Sequence, residues 1–254
     1  MRKLLLSSLF LLSLVPALPA ASSLQTADDV IEKHFAAVGG RAALAKLTSR
    51  KSTGTVTIET PNGSLAGPIE IYAKAPNKTR AYMTLDLSAL GVPDKMVVEQ
   101  KFDGTAGWTL NSMQGNSAIV GNQLQNMRNN VFPSPLLDYK SAGTKIDVLP
   151  REKVAGKDAI VLLVTPKEGS AVRMFFDAET YLLVRAVLKI SSPEFGELEQ
   201  TNEPSDYRSV DAIKVPFVVK NTSPVQTLTI RLEKIEHNVP IDDAMFSVKS
   251  GLRP

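Results

Sequence analysis

Apolar positions along the chain recur at two different spacings. Between 26 and 47 they fall at helical intervals, with Ala27, Val30, Ile31, Phe35 and Val38 on one stripe. Thr26 is placed to cap this segment, and Asp28 and Asp29 lie in its electropositive first turn. Gly39-Gly40 ends it, because glycine takes the left-handed conformation at a helix terminus without a Cβ clash. Arg41 to Leu47 predicts a second, shorter helix. Beyond Ser49 the spacing becomes two. Ala81, Met83, Leu85 and Leu87 share one face of their segment. Met96, Val98 and Phe102 oppose Lys95, Glu99 and Lys101, and 227–233 alternates throughout. Such alternation predicts a sheet with one dry and one wet face, as antiparallel sheets have.

Strands are predicted at 50–59, 65–74, 80–87, 95–102, 106–111, 144–153, 157–165, 171–177, 181–190, 196–208, 214–222 and 227–233. Short turns join them, the clearest at Pro61-Asn62-Gly63, Pro76-Asn77, Asp103-Gly104 and Ala155-Gly156. The one interruption is 121–139. There Leu124, Met127, Arg128 and Val131 suit a short helix that Pro133 and Pro135 end. No linker, internal repeat or low-complexity run divides the chain, so 21–254 is expected to be one mainly β (α+β) domain. About a dozen strands do not stay flat. A two-layer sandwich and a single sheet curled against the helices both satisfy the pattern.

The ends and the charges narrow the class. Met1-Arg2-Lys3 is a short basic region, Leu4 to Val15 an apolar core, and 16–22 a zone of small residues and proline. Residues 1–20 are therefore expected to be a cleaved secretory signal peptide, their apolar run being short for a membrane span. Losing Arg2 and Lys3 lowers the formal net charge from +3 to +1, which removes the case for an acidic partner. The chain has no cysteine, which excludes disulfides, thiolate metal sites, a thiol nucleophile and a lipid-modified cysteine anchor.

Catalytic chemistry finds little support. No nucleophile elbow, His-Glu-x-x-His, phosphate loop or dinucleotide fingerprint occurs. The two histidines, His34 and His237, have too few ligand partners to hold a metal and read as structural. No metal, cofactor or enzymatic activity is expected. Basic residues are dispersed among acids, so nucleic acid is not an expected partner. Asn62, Asn77 and Asn221 begin glycosylation-type triplets, a weak signal in a polar chain. Met83, Met96, Met113, Met127, Met174 and Met245 are a stronger lead. Methionine is flexible and polarizable, and it suits either core filling or an adaptable apolar binding surface.

Several segments resemble one family of exported proteins. They are Ile71 to Arg80, Phe102-Asp-Gly-Thr-Ala-Gly-Trp108, Phe176 to Arg185, Val215-Pro-Phe217 and His237 to Phe246, together with the start from Ala27 to Gly40. The chain resembles the outer-membrane lipoprotein-sorting, LolA-like periplasmic carriers over nearly all of 27–247. The resemblance implies a strongly curved antiparallel sheet, an incomplete β-barrel with lid helices, whose concave face holds acyl chains. It also favours the curled sheet over the sandwich. Without a cysteine after the leader, the chain is similar to the soluble carriers rather than to lipid-anchored receptors. Two positions depart from the family, Tyr181 and Ala212, where relatives carry glycine. If these positions need φ > 0, each carries strain of about 1 kcal/mol.

These readings predict a periplasmic, monomeric carrier or binding protein for lipoprotein acyl chains or another lipid, with an envelope membrane complex as a further partner. The alternative is an envelope interaction or sensor domain that uses the same fold without carrying lipid. The expected lining comes from the alternating faces: Met83, Leu85, Met96, Val98, Trp108, Leu110, Leu228 and Ile230. Trp108 and Leu110 join the set because they share a face of the strand after Gly107.

Overall fold

A computed structural model describes residues 25–192 and 196–247. The expected signal peptide, 1–20, lies outside the described residues. The first helix, α1 (Ala27–Ala37), starts as predicted. The Thr26 hydroxyl accepts from the Asp29 amide at 3.2 Å, and the Thr26 amide donates to the Asp29 carboxylate at 3.1 Å. Two N-terminal amides are thereby satisfied. The helix ends at Val38, where the Gly40 amide donates to the Phe35 carbonyl at 2.7 Å and Gly39 has φ 121°. A single-turn helix, α2 (Arg41–Leu44), follows.

The strands are β1 (Ser49–Thr60), β2 (Gly63–Lys74), β3 (Lys78–Asp86), β4 (Lys95–Phe102), β5 (Gly107–Asn111) and β6 (Gly115–Ile119). After α3 (Gly121–Asn129) come β7 (Lys145–Val154), β8 (Lys157–Thr165), β9 (Val172–Asp177), β10 (Leu183–Ser192), β11 (Gly196–Val210), β12 (Ile213–Thr222) and β13 (Thr227–His237). All 13 form one antiparallel sheet in the order β6-β5-β4-β3-β2-β1-β13-β12-β11-β10-β9-β8-β7. The sandwich alternative is thus excluded. Two meanders are joined side by side through β1 and β13, and the sheet is left open between its edges β6 and β7. Helix α3 leaves edge strand β6 and is tied to the β8–β9 loop. Asn122 and Asn126 donate to the Ser170 hydroxyl, and Asn129 donates to the Glu168 carbonyl.

The curvature follows from what α1 touches. Val30, Ile31, Phe35 and Val38 pack in one cluster with Ala73 of β2, Ile235 of β13, Val215 and Phe217 of β12, Phe176 of β9, and Ile160 and Leu162 of β8. In a flat sheet, β2 and β8 would stand about 34 Å apart, whereas a helix is about 10 Å across. The sheet therefore wraps around α1, and the side chains on that side form its helix-side face. Burying these four side chains contributes about 2 kcal/mol each. On the far face, Val161, Phe175, Val187, Ala159 and Val154 make a second cluster. A third group sits where the chain's last segment folds onto β2. Phe246 and Ile241 cover Tyr72, while Lys74 and Lys78 hold Asp243 at 2.8 and 2.7 Å.

Tyr181 and Ala212 do adopt positive φ, 57° and 65°. Asp211 and Ala212 together make the two-residue β11–β12 turn, both left-handed, a conformation in which Asn or Asp followed by Gly is the favoured pair. Tyr181 is held in place by its neighbours. Its hydroxyl accepts from Lys33 and Gln25 at 3.2 Å, and its carbonyl accepts from His34 Nδ1 at 2.9 Å.

Candidate apolar binding face

The helix-side face has two parts along β1. At the Arg50 end, α1, Phe132 and Leu136 plug the bend. Toward the other end lies an apolar patch made of strand residues. Its floor is Val56, Ile69 and Leu85, at 0, 2 and 0% exposure. Around the floor stand Ile58, Leu65, Ile71, Met83, Met96, Val98, Leu228 and Ile230, all half-buried. Among the described residues no helix side chain belongs to this cluster. Register explains the grouping. Met83 pairs with Val98 and Leu85 with Met96 across β3–β4, and Val56 pairs with Ile230 and Ile58 with Leu228 across β1–β13. Directly opposed residues of an antiparallel pair project to the same side.

Six of the eight sequence-predicted lining residues meet in this patch: Met83, Leu85, Met96, Val98, Leu228 and Ile230. Trp108 and Leu110 do not. Phe102 pairs with Gly107, Lys101 with Trp108 and Glu99 with Leu110, so both side chains share the far face with Lys101 and Glu99. The inward position goes to Gly107 for a packing reason. A Cβ there would lie 3.1 Å from Ile119 Cβ and 3.3 Å from Met127 Sδ. Trp108 stands instead in a cross-strand row with Lys51, Tyr72, Arg80 and Lys101. Arg80 pairs with Glu99 at 2.5 Å and lies 5.5 and 5.3 Å from the Tyr72 and Tyr82 rings. Burial and the neighbouring Glu70 carboxylate push the Tyr72 phenol up to about 12. This side of the sheet is charged and aromatic, and Glu99 pairs with both Arg80 and Lys101.

A cleft of about 670 Å³ also opens on the far face, between β1 and β7–β13. Glu59, Lys157, Asp158, Glu203, Lys220 and Arg231 line it. Desolvating so many charges makes it a poor seat for acyl chains. The patch on the helix side is built instead from aliphatic and methionine side chains.

Sequence reasoning missed Val56, Ile69, Ile58, Leu65 and Ile71 as members. Their strands were predicted, and the alternation within 50–59 and 65–74 carried the signal. The histidines make no metal site, and among the described residues no group of three metal-ligating side chains comes together. His34 Nδ1 faces a carbonyl, which only accepts, so that nitrogen carries the proton. Burial keeps the ring's pKa below its ordinary value, and its edge meets Phe176 at 5.0 Å. No described helix is long and apolar enough to cross a membrane.

No family model and no curated protein matches the chain. Solved structures do. A LolA superfamily protein from Nitrosomonas europaea is 11% identical with a TM-score of 0.55, covering 88% of this chain and 98% of its own. A DUF1329 family protein from Desulfovibrio piger is 15% identical with a TM-score of 0.56, covering 89% and 98%. A domain from Vibrio parahaemolyticus named for outer membrane lipoprotein sorting is 10% identical with a TM-score of 0.55, covering 86% and 94%. The chain has the LolA-like fold, a curved, unclosed antiparallel sheet with few helices.

Proposed function

We propose that the protein is a non-enzymatic periplasmic carrier, or binding protein, for lipoprotein acyl chains or another lipid. One observation carries this reading. An apolar, methionine-containing patch with a half-buried rim lies on the helix-side face, and among the described residues no helix side chain joins its cluster. Each CH₂ moved from water onto such a surface contributes about 0.8 kcal/mol, so one acyl chain supplies ample driving force. Met83 and Met96 are flexible, so they can turn aside to admit a chain and repack after release. Fold likeness to a lipoprotein-sorting domain supports the same direction. Residues 21–254 act as one domain and as a monomer, and any envelope membrane complex meets the carrier at delivery.

The test is mass spectrometry of the protein purified from its native periplasm without detergent. Recovery of lipid or lipoprotein in a fixed ratio is the expected result. Recovery of one protein partner and no lipid would favour an envelope interaction or sensor role.

A further inference from the structure

Two polar side chains on the helix-side face have no part in apolar binding. Arg50 on β1 and His237 at the end of β13 are directly opposed, so their Cβ atoms are about 5 Å apart and point to the same side. Their surroundings are apolar: Ala73 is the Cα partner of Arg50 on β2, and Ile235 lies two residues before His237. Arg50 is half-buried, and its guanidinium lies 5.6 Å from the centroid of the Phe132 ring. It forms no ion pair or side-chain hydrogen bond with the described residues, and burial alone shifts it, downward. A partly desolvated cation with no counter-charge favours a nearby anion.

His237 has the matching deficit. Its side chain is 1% exposed, and neither ring nitrogen has a hydrogen-bond partner among the described residues. Asp211 Oδ2 lies 3.4 Å from Nδ1 without hydrogen-bond geometry, on a side chain 69% exposed to solvent. An imidazole always carries at least one N–H and a guanidinium five, so donors and positive charge converge beside a single, largely exposed carboxylate. Buried polar groups are satisfied in nearly all proteins, and an exception of this kind calls for a bound partner.

We propose that Arg50 and His237 form an anion-binding site that takes a carboxylate or phosphate oxygen. That chemistry has two sources, a free anion or the head of an amphiphile. The second source rests on the lipid-carrier reading. Arg50, Ser52, Gly54, Val56 and Ile58 follow one another on a single face of β1, so the site lies about 20 Å from Val56 along the strand that floors the apolar patch.

The test uses the full chain, following the ring signals of its two histidines by carbon–proton NMR, with His34→Gln assigning them. Inorganic phosphate, dodecanoate and uncharged dodecanol are titrated separately. The expected result is a saturable shift of the His237 ring with an anion, and a loss of at least tenfold in affinity in Arg50→Gln. Arg50→Lys should keep part of the binding, and it serves as the second variant where Arg50→Gln fails to fold. A response to dodecanoate far below the phosphate concentration identifies an amphiphile head, and an equal response identifies a free ion. No shift with either anion, or an equal shift in Arg50→Gln, overturns the site. Dodecanol reports on the apolar patch alone. If it fails to bind while phosphate still shifts His237, the carrier reading falls and the anion site stands.

Discussion

At the scale of single residues, Ala212 and Tyr181 are among the non-glycine residues held in the left-handed region. Ala212 has φ 65° in the β11–β12 turn, a region that costs an alanine about 1 kcal/mol and glycine almost nothing. Ala212→Gly should therefore raise stability by about 1 kcal/mol, read from the midpoint of urea unfolding. A decrease would show that the turn is not left-handed in solution. Tyr181 has the same conformation but is tied to Lys33, Gln25 and His34, so glycine there would lose contacts as well as strain. His34 sets a pH dependence. Its folded pKa lies below the ordinary 6.5, so the unfolded chain binds the proton more readily. The stability this provides is fully present above about pH 6.5, and it falls as pH drops toward the lower folded value. Burial also lowers His237, which adds to the same slope. Unfolding midpoints between pH 7.5 and 5 should fall in the parent protein and fall less in His34→Gln. Parallel profiles would contradict a buried neutral imidazole.

At the scale of elements, neighbouring positions on β3 test the register. Met83 belongs to the apolar patch, and Thr84 projects to the far face. Met83→Asp buries an unpaired charge and should cost about 3 kcal/mol or abolish folding. Thr84→Asp should cost well under 1 kcal/mol. Equal losses in thermal unfolding would mean that the strand is out of register. Most of this architecture was legible in the sequence, because residues with one dry face announce it by alternation. Every strand with apolar alternation, such as 80–87 and 227–233, is present. Two things escaped. Strand β6, Gly-Asn-Ser-Ala-Ile, has no alternating apolar residues, and pairing with β5 through the Asn111–Gly115 turn creates it. The facing of β5 was also hidden, since the bulkiest residues of Gly107-Trp-Thr-Leu-Asn111 look like the dry ones. Contacts with Ile119 and Met127, distant in sequence, reserve the inner position for Gly107.

At the scale of the whole molecule, the sheet separates two environments. Its far face carries charges, aromatic rings and a polar cleft, while its helix-side face carries the plug around α1 and the apolar patch beside it. The plug is closed, because α1 side chains fill the bend. Among the described residues no helix side chain joins the patch, and this asymmetry is what supports the carrier reading. Length and alternation could not disclose it, because curvature arises from how distant strands converge on one helix. The most direct measurement is a titration of the full chain with a dansyl-labelled undecanoic acid, followed by its emission. The account predicts saturable, blue-shifted emission that Ile230→Ser weakens at least tenfold and Trp108→Ala on the far face leaves unchanged. Absence of saturable binding, or equal weakening by both substitutions, would contradict it.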